Sequence, residues 1–229
     1  MIDYLIDIDT QVFLFFHNMR APFLDSFMWL FSKKLVWVPL YAAIFVYLFK
    51  TFNWKQAVIY TLAIALTITL ADQVCASHIR PYFQRLRPSN PSNPLSDMVT
   101  IVNGYRSGSY GFPSCHAANT FALAVIVSLI AKLRRISVFM FVWAIITCYS
   151  RVYLGVHYPG DLLFGAVIGC TCSIAVYYAA SGISSRMLPR SDTRRHNNRI
   201  LNIINLTDII ILTGSLTIVV FVIISLCKI

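Results

Sequence analysis

Residues 57–76 read AVIYTLAIALTITLADQVCA, a run of twenty in which Asp72 is the single charged side chain. An α-helix rises about 1.5 Å per residue, so a run of this length matches the roughly 30 Å hydrocarbon thickness of a bilayer. Similar apolar stretches lie on either side, at Leu35–Phe49, Ala117–Ala131, Ile136–Tyr149 and Leu162–Ala180, and one more, Ile203–Cys227, follows a polar break. Hydrophobic residues make up 58% of the 229 and charged residues 12%, whereas soluble domains carry roughly 25% charged residues. These observations define the fold class as all-α: a polytopic transmembrane helical bundle of about five to six spans. Ahead of the spans, Ile2–Phe16 sets Asp3 and Asp7 one turn apart, opposite Leu5, Ile6 and Val12. That pattern predicts an amphipathic helix at the membrane interface.

The organisation expected is a single integral membrane domain over residues 1–229. It comprises an interfacial region (1–34), a helical core (35–182), a basic loop (183–200) and a C-terminal span (201–229). Asp3, Asp7 and Asp9 stand where a secretory signal would be basic, and no small-residue cleavage site follows, so the N-terminus reads as retained. Nineteen Lys and Arg against nine Asp and no Glu give a formal charge of +10. The surplus concentrates at Lys50 and Lys55, at Lys132, Arg134 and Arg135, and at Arg186, Arg190, Arg194, Arg195 and Arg199. Alternation of the spans puts all three groups on one face, read as cytoplasmic. The charge is thereby explained by topology, and no nucleic-acid partner is expected. Arg20, Lys33 and Lys34 are exceptions on the other face, and an extra early span through Phe23–Phe31 is the alternative that would move them. The six cysteines show no metal-type or disulfide spacing.

Three polar islands fall on the face opposite the basic loops. The first holds Arg80 and Arg87, seven residues apart, which on a helix would form a two-pronged fork for phosphate oxygens. Arg85 beside them reads as an arginine snorkelling at a helix end. In the second island, Pro113-Ser114-Cys115-His116, Ser114 suits an N-cap, and the helix N-terminus behind it favours an anion. His116 could give a proton to a departing oxygen. The third, Ser150–Asp161, contains Arg151 and sets His157 four residues before Asp161. A carboxylate on one imidazole nitrogen fixes the tautomer and leaves the other nitrogen nucleophilic. Taken singly, each island also fits a capping or snorkelling role.

Arg-x6-Arg-Pro, Pro-Ser-x-His and Ser-Arg-x5-His-x3-Asp, in that order between Arg80 and Asp161, resemble the signature of the type 2 phosphatidic acid phosphatase superfamily. The resemblance implies that His157 attacks phosphorus, Asp161 orients it, and His116 protonates the leaving oxygen. Arg80, Arg87, Ser114, Cys115 through its backbone N–H, and Arg151 would hold the phosphoryl oxygens. It implies no cofactor and no metal, a lipid phosphate or pyrophosphate as substrate, and a bacterial inner membrane with the site on the outer face. Among members of this family, undecaprenyl pyrophosphate, lipid A and phosphatidylglycerophosphate phosphatases are the most similar types. Two positions depart from the usual pattern: Arg80 stands where lysine is usual, and Cys115 where glycine is usual. Asp72 is expected to support Arg80, and Arg106 in the long Ser89–Phe112 loop to bear on selectivity. A vanadate-holding haloperoxidase and a non-catalytic lipid-binding or transport protein are the alternatives.

Overall fold

A computed structural model describes residues 2–187 and 196–227, with side chains over 3–186 and 208–227. Residues 188–195 of the basic segment 183–200 therefore lie outside the described residues. The chain forms nine α-helices among the described residues: α1 (Ile2–His17), α2 (Pro22–Phe31), α3 (Val38–Thr51), α4 (Trp54–Gln73), α5 (Arg80–Phe83), α6 (Cys115–Ala131), α7 (Arg134–Tyr153), α8 (Pro159–Met187) and α9 (His196–Leu226). There is no β-strand among the described residues, only an isolated bridge between Leu86 and Tyr110.

Among the described residues, five segments are long and apolar enough to cross a membrane: Lys34–Thr51, Trp54–Phe83, Arg134–Tyr153, Pro159–Arg186 and Asp208–Leu226. The sixth apolar helix, α6, has 17 residues and so reaches about 25 Å. It is the central helix, with α8, α7 and α4 packed around it. The bundle is thus the multi-span helical membrane fold that the apolar runs predict. The early apolar piece forms only the 10-residue α2, about half the length a span requires, which removes the extra-span alternative.

Small residues let α6 and α8 approach closely. A Cβ added at Gly165 would collide with the Ser114 carbonyl, and one at Gly169 with the Ala118 carbonyl. One turn further on, Ser173 Oγ donates across the same seam to the Ala122 carbonyl at 2.9 Å. The seam seats the N-terminus of α6 beside that of α8, where Ser114 N–H donates to the Asp161 carbonyl at 3.0 Å.

One local expectation is corrected. Arg80 and Arg87 do not share a helix, because the backbone turns left-handed at Gln84 (φ 43°) and ends α5. Arg87 instead sits in an extended segment whose N–H donates to the Ser109 carbonyl at 3.1 Å. The helix predicted at the N-terminus is present as α1, with Leu5, Ile6 and Val12 exposed and Phe13 and His17 fully buried. The protein-facing stripe is Asp9, Phe13 and His17, spaced one turn apart.

Because a side chain at Gly169 has no room against the α6 backbone, Gly169→Val is expected to destabilise the bundle by about 1–3 kcal/mol or more. Gly182→Ala, where nothing lies within 4 Å, is expected to leave stability unchanged or slightly higher. Thermal unfolding of the detergent-solubilised protein compares the two.

Candidate active site

The polar islands lie on α5 and the loop after it, at the start of α6, and between the end of α7 and the start of α8, and hydrogen bonds join them to one another. Pro159 starts α8 with its φ already suited to a helix, which leaves His157 just ahead of the first turn and Asp161 within it. His157 Nδ1 donates to Asp161 Oδ2 at 3.3 Å, and the Tyr158 N–H donates to the same oxygen at 3.1 Å. Asp161 is fully buried and His157 nearly so. With Nδ1 carrying the proton, the Nε2 lone pair is available, and Arg87 Nη1 donates to it at 2.7 Å. Burial, followed by the charges of Arg87, Arg151 and Arg80, holds His157 well below the usual histidine range. It is an uncharged imidazole among cations.

Each arginine is anchored differently. Arg87, buried, also donates to the carbonyls of Tyr110 and Val156, both at 3.0 Å. Its pKa is lowered to about 10, first by burial and then by Arg151 and Arg80, so it stays charged at neutral pH. Arg151 donates to Ser32 Oγ and to Tyr105 Oη, the latter at 3.2 Å. Arg80 Nη2 donates to the Pro113 carbonyl and to Cys115 Sγ, both at 2.9 Å. Arg80 and Arg151 each keep a buried Nε without an acceptor. A buried donor left unpaired costs about 1–3 kcal/mol, a deficit that a phosphoryl oxygen would remove. Ser114 caps α6, its Oγ accepting from the Ala117 N–H at 3.4 Å. His116, on the first turn of α6, lines a cavity of about 340 Å³ whose wall is mostly apolar, including Ile44, Leu48, Ile64, Leu123 and Trp143.

Several participants escape a reading of motifs. Arg85, expected to snorkel, instead bridges two carboxylates: Asp161 Oδ1 at 3.0 Å and Asp9 Oδ2 at 2.7 Å. Asp9 in turn accepts from the Gly160 N–H at 2.7 Å, so α1 closes over the start of α8. The i, i+4, i+8 stripe of Asp9, Phe13 and His17 was the available signal. Gly111 backs the His157–Asp161 pair so closely that a Cβ there would stand 2.8 Å from Asp161 Oδ2. Asp72 does not meet the Arg80 side chain; it accepts from Asn119 Nδ2 at 2.8 Å. Arg106 is engaged in the loop itself, donating to the Ser89 carbonyl at 2.6 Å.

Cations gathered around a neutral, carboxylate-oriented imidazole call for an anion, and the cavity beside them suits hydrocarbon, so fold and site define a membrane phosphatase. The chain belongs to the PAP2 superfamily, whose family model matches residues 56–184. It is 52% identical over 193 residues to the lipid A 4'-phosphatase of Bacteroides thetaiotaomicron, covering 84% of this chain and 85% of that protein. It is 28% identical over 162 residues to the putative undecaprenyl-diphosphatase YbjG of Escherichia coli, covering 69% and 76% of the two. Among solved structures, the crystal structure of Aquifex aeolicus LpxE matches with a TM-score of 0.56 and 28% identity, over 74% of this chain and 94% of that one. The chain is accordingly a PAP2 membrane lipid phosphatase.

Gly111→Ala is expected to wedge His157 and Asp161 apart and lower kcat by about a hundredfold, since displacements near 1 Å cost that much in a positioned site. Steady-state phosphate release checks it.

Proposed function

We propose that this phosphatase hydrolyses the 4'-phosphate of lipid A through a phosphohistidine at His157, without a metal ion. The observation that carries the mechanism is the orientation of His157: Nδ1 engaged by Asp161 and Nε2 turned to Arg87. The substrate assignment is supported by the 52% identical relative, a lipid A 4'-phosphatase, matched over most of both chains.

In this reading a phosphoryl group enters between Arg87 and His157. Nε2 attacks phosphorus as the bond to the lipid oxygen breaks, and Asp161 stabilises the cationic imidazole that forms. Arg80, Arg87 and Arg151, with the Ser114 hydroxyl and the Cys115 N–H, meet the developing charge on the phosphoryl oxygens, which is the main catalytic contribution expected in phosphoryl transfer. His116 protonates the leaving oxygen, and the incoming phosphate's negative charge favours the protonated imidazole this requires. Water then attacks the phosphohistidine with His116 accepting its proton, and inorganic phosphate departs as the P–N bond breaks. The apolar cavity that His116 lines would receive hydrocarbon of the leaving lipid. The site faces the exterior of a bacterial inner membrane, on the side opposite Lys50, Lys55 and Arg134, a reading supported by the bias of basic residues toward the cytoplasm.

The decisive assay is inorganic phosphate release in detergent with EDTA, comparing wild type and His157→Ala on lipid A, undecaprenyl pyrophosphate, phosphatidylglycerophosphate and phosphatidic acid. Release from lipid A by wild type, with loss of at least about 10³-fold in His157→Ala, is the expected outcome. Full activity of His157→Ala would sink the mechanism, and a preference for undecaprenyl pyrophosphate would replace the substrate.

The pH profile provides an independent check. Because the His157 pKa is lowered, its neutral, nucleophilic form persists below the ordinary histidine value of about 6.5. The acid limb of kcat/KM due to His157 is therefore expected below that pH, and a limb of this origin at or above it would contradict the assignment.

A further inference from the structure

Of the three cations that topology leaves unexplained, the structure accounts for two. Arg20 pairs with Asp25 at 2.6 Å and lies over the Tyr153 ring, and Lys33 lies over the Trp29 ring at 4.7 Å. Lys34 has no ion pair and no aromatic partner among the described residues. It is exposed and lines the cavity together with Ser32 and His116. It opens the short 3-10 turn Lys34–Trp37, whose buried Trp37 is fastened by its Nε1–H to the Phe31 carbonyl at 2.9 Å. The backbone that carries Lys34 is thus held in place.

The cations divide between the two imidazoles. Arg87 donates to the His157 imidazole, whereas Lys34 lines the cavity that His116 also lines. The reacting phosphoryl group already has three guanidiniums, so Lys34 is surplus to it. An exposed ammonium at this cavity keeps its three donors free for an anion that enters it.

We propose that Lys34 is a specificity-determining residue that binds a second anionic group on the leaving side of the substrate. This rests on the phosphatase reading above, in which His116 protonates the leaving oxygen. Whatever hangs from that oxygen begins at His116 and enters the cavity, so a second negative charge that it carries is drawn into the space that Lys34 lines. Two sources share this chemistry: the second phosphate of a pyrophosphate, adjacent to the bond that breaks, and a second phosphate farther along an acylated disaccharide.

The test uses two matched pairs: farnesyl pyrophosphate against farnesyl monophosphate, and the acylated disaccharide 1,4'-bisphosphate against its 4'-monophosphate. Each is assayed with wild type, Lys34→Ala, Lys34→Gln, Lys34→Arg and His157→Ala. In wild type the doubly anionic member of one pair has the lower KM. Lys34→Ala and Lys34→Gln shrink that KM ratio by about tenfold, the size of one charge-assisted contact, while Lys34→Arg keeps most of it. The pair that responds identifies the source. KM ratios do not depend on the fraction of active protein, so partial misfolding cannot imitate this result. A ratio unchanged in both pairs, or an equal loss on both members, overturns the Lys34 assignment while activity abolished in His157→Ala still upholds the phosphatase reading. Wild-type inactivity on all four lipids overturns both.

Discussion

One buried carboxylate organises this molecule. Asp161 has no contact with solvent, and a buried charge is tolerated only where it is paired and hydrogen-bonded. Its two oxygens meet that demand from three directions: His157 and the Tyr158 N–H on one, Arg85 on the other. Its own carbonyl accepts from Ser114 at the start of α6. Arg85 passes the connection to Asp9 of α1, and Asp9 returns it to the Gly160 N–H at the start of α8. Removing one partner from such a network typically costs about 3–5 kcal/mol, because it strands a charge. The group that orients His157 therefore also ties the 84–112 loop, α1 and two central helices to one point.

The spans were legible because a bilayer imposes a length and a polarity on every segment that crosses it. The islands were legible because alternation of spans puts them at one end, and because polar groups are conspicuous against apolar flanks. The contributions of Asp9 and Gly111 were not legible. Asp9 lies on a helix that looks interfacial by composition, and its partner Arg85 is far away in sequence, so the contact exists only once α1 folds over α8. Gly111 matters for the space its missing side chain leaves beside Asp161, and nothing in a loop sequence rich in Gly, Ser and Asn distinguishes that glycine from its neighbours. The helical spacing of Arg80 and Arg87 misled for a different reason. Gln84 takes up a left-handed conformation, which propensity disfavours and which the bridge between Leu86 and Tyr110 accompanies.

The two departures from the family pattern touch each other. Arg80 Nη2 donates to Cys115 Sγ and to the carbonyl of Pro113, so the guanidinium is braced by the turn that leads into α6. A lysine would present a mobile point charge at this position, while an arginine brings a planar group with several donors. Bracing some of those donors fixes the plane of the rest. The cysteine side chain, which looks like an obstruction beside a phosphate, is one of the braces. Arg80 Nε remains buried and unpaired, so the bracing leaves a donor for a ligand.

Close packing of α6 on α8 and the chemistry at their ends are one problem. The Ser114 carbonyl that leaves no room for a side chain at Gly165 belongs to the residue that caps α6 and whose N–H meets the Asp161 carbonyl. Were the two helices held apart by one side chain, Ser114 and Asp161 would separate, and the N-terminus of α6 would no longer stand beside His157. In water the apolar faces could be driven together by the hydrophobic effect, but in lipid the helices gain contact mainly through van der Waals fit and hydrogen bonds across the seam. Glycines at that seam therefore set the distance between the anion-binding end of α6 and the histidine–carboxylate pair, and through it the geometry in which phosphorus could be attacked.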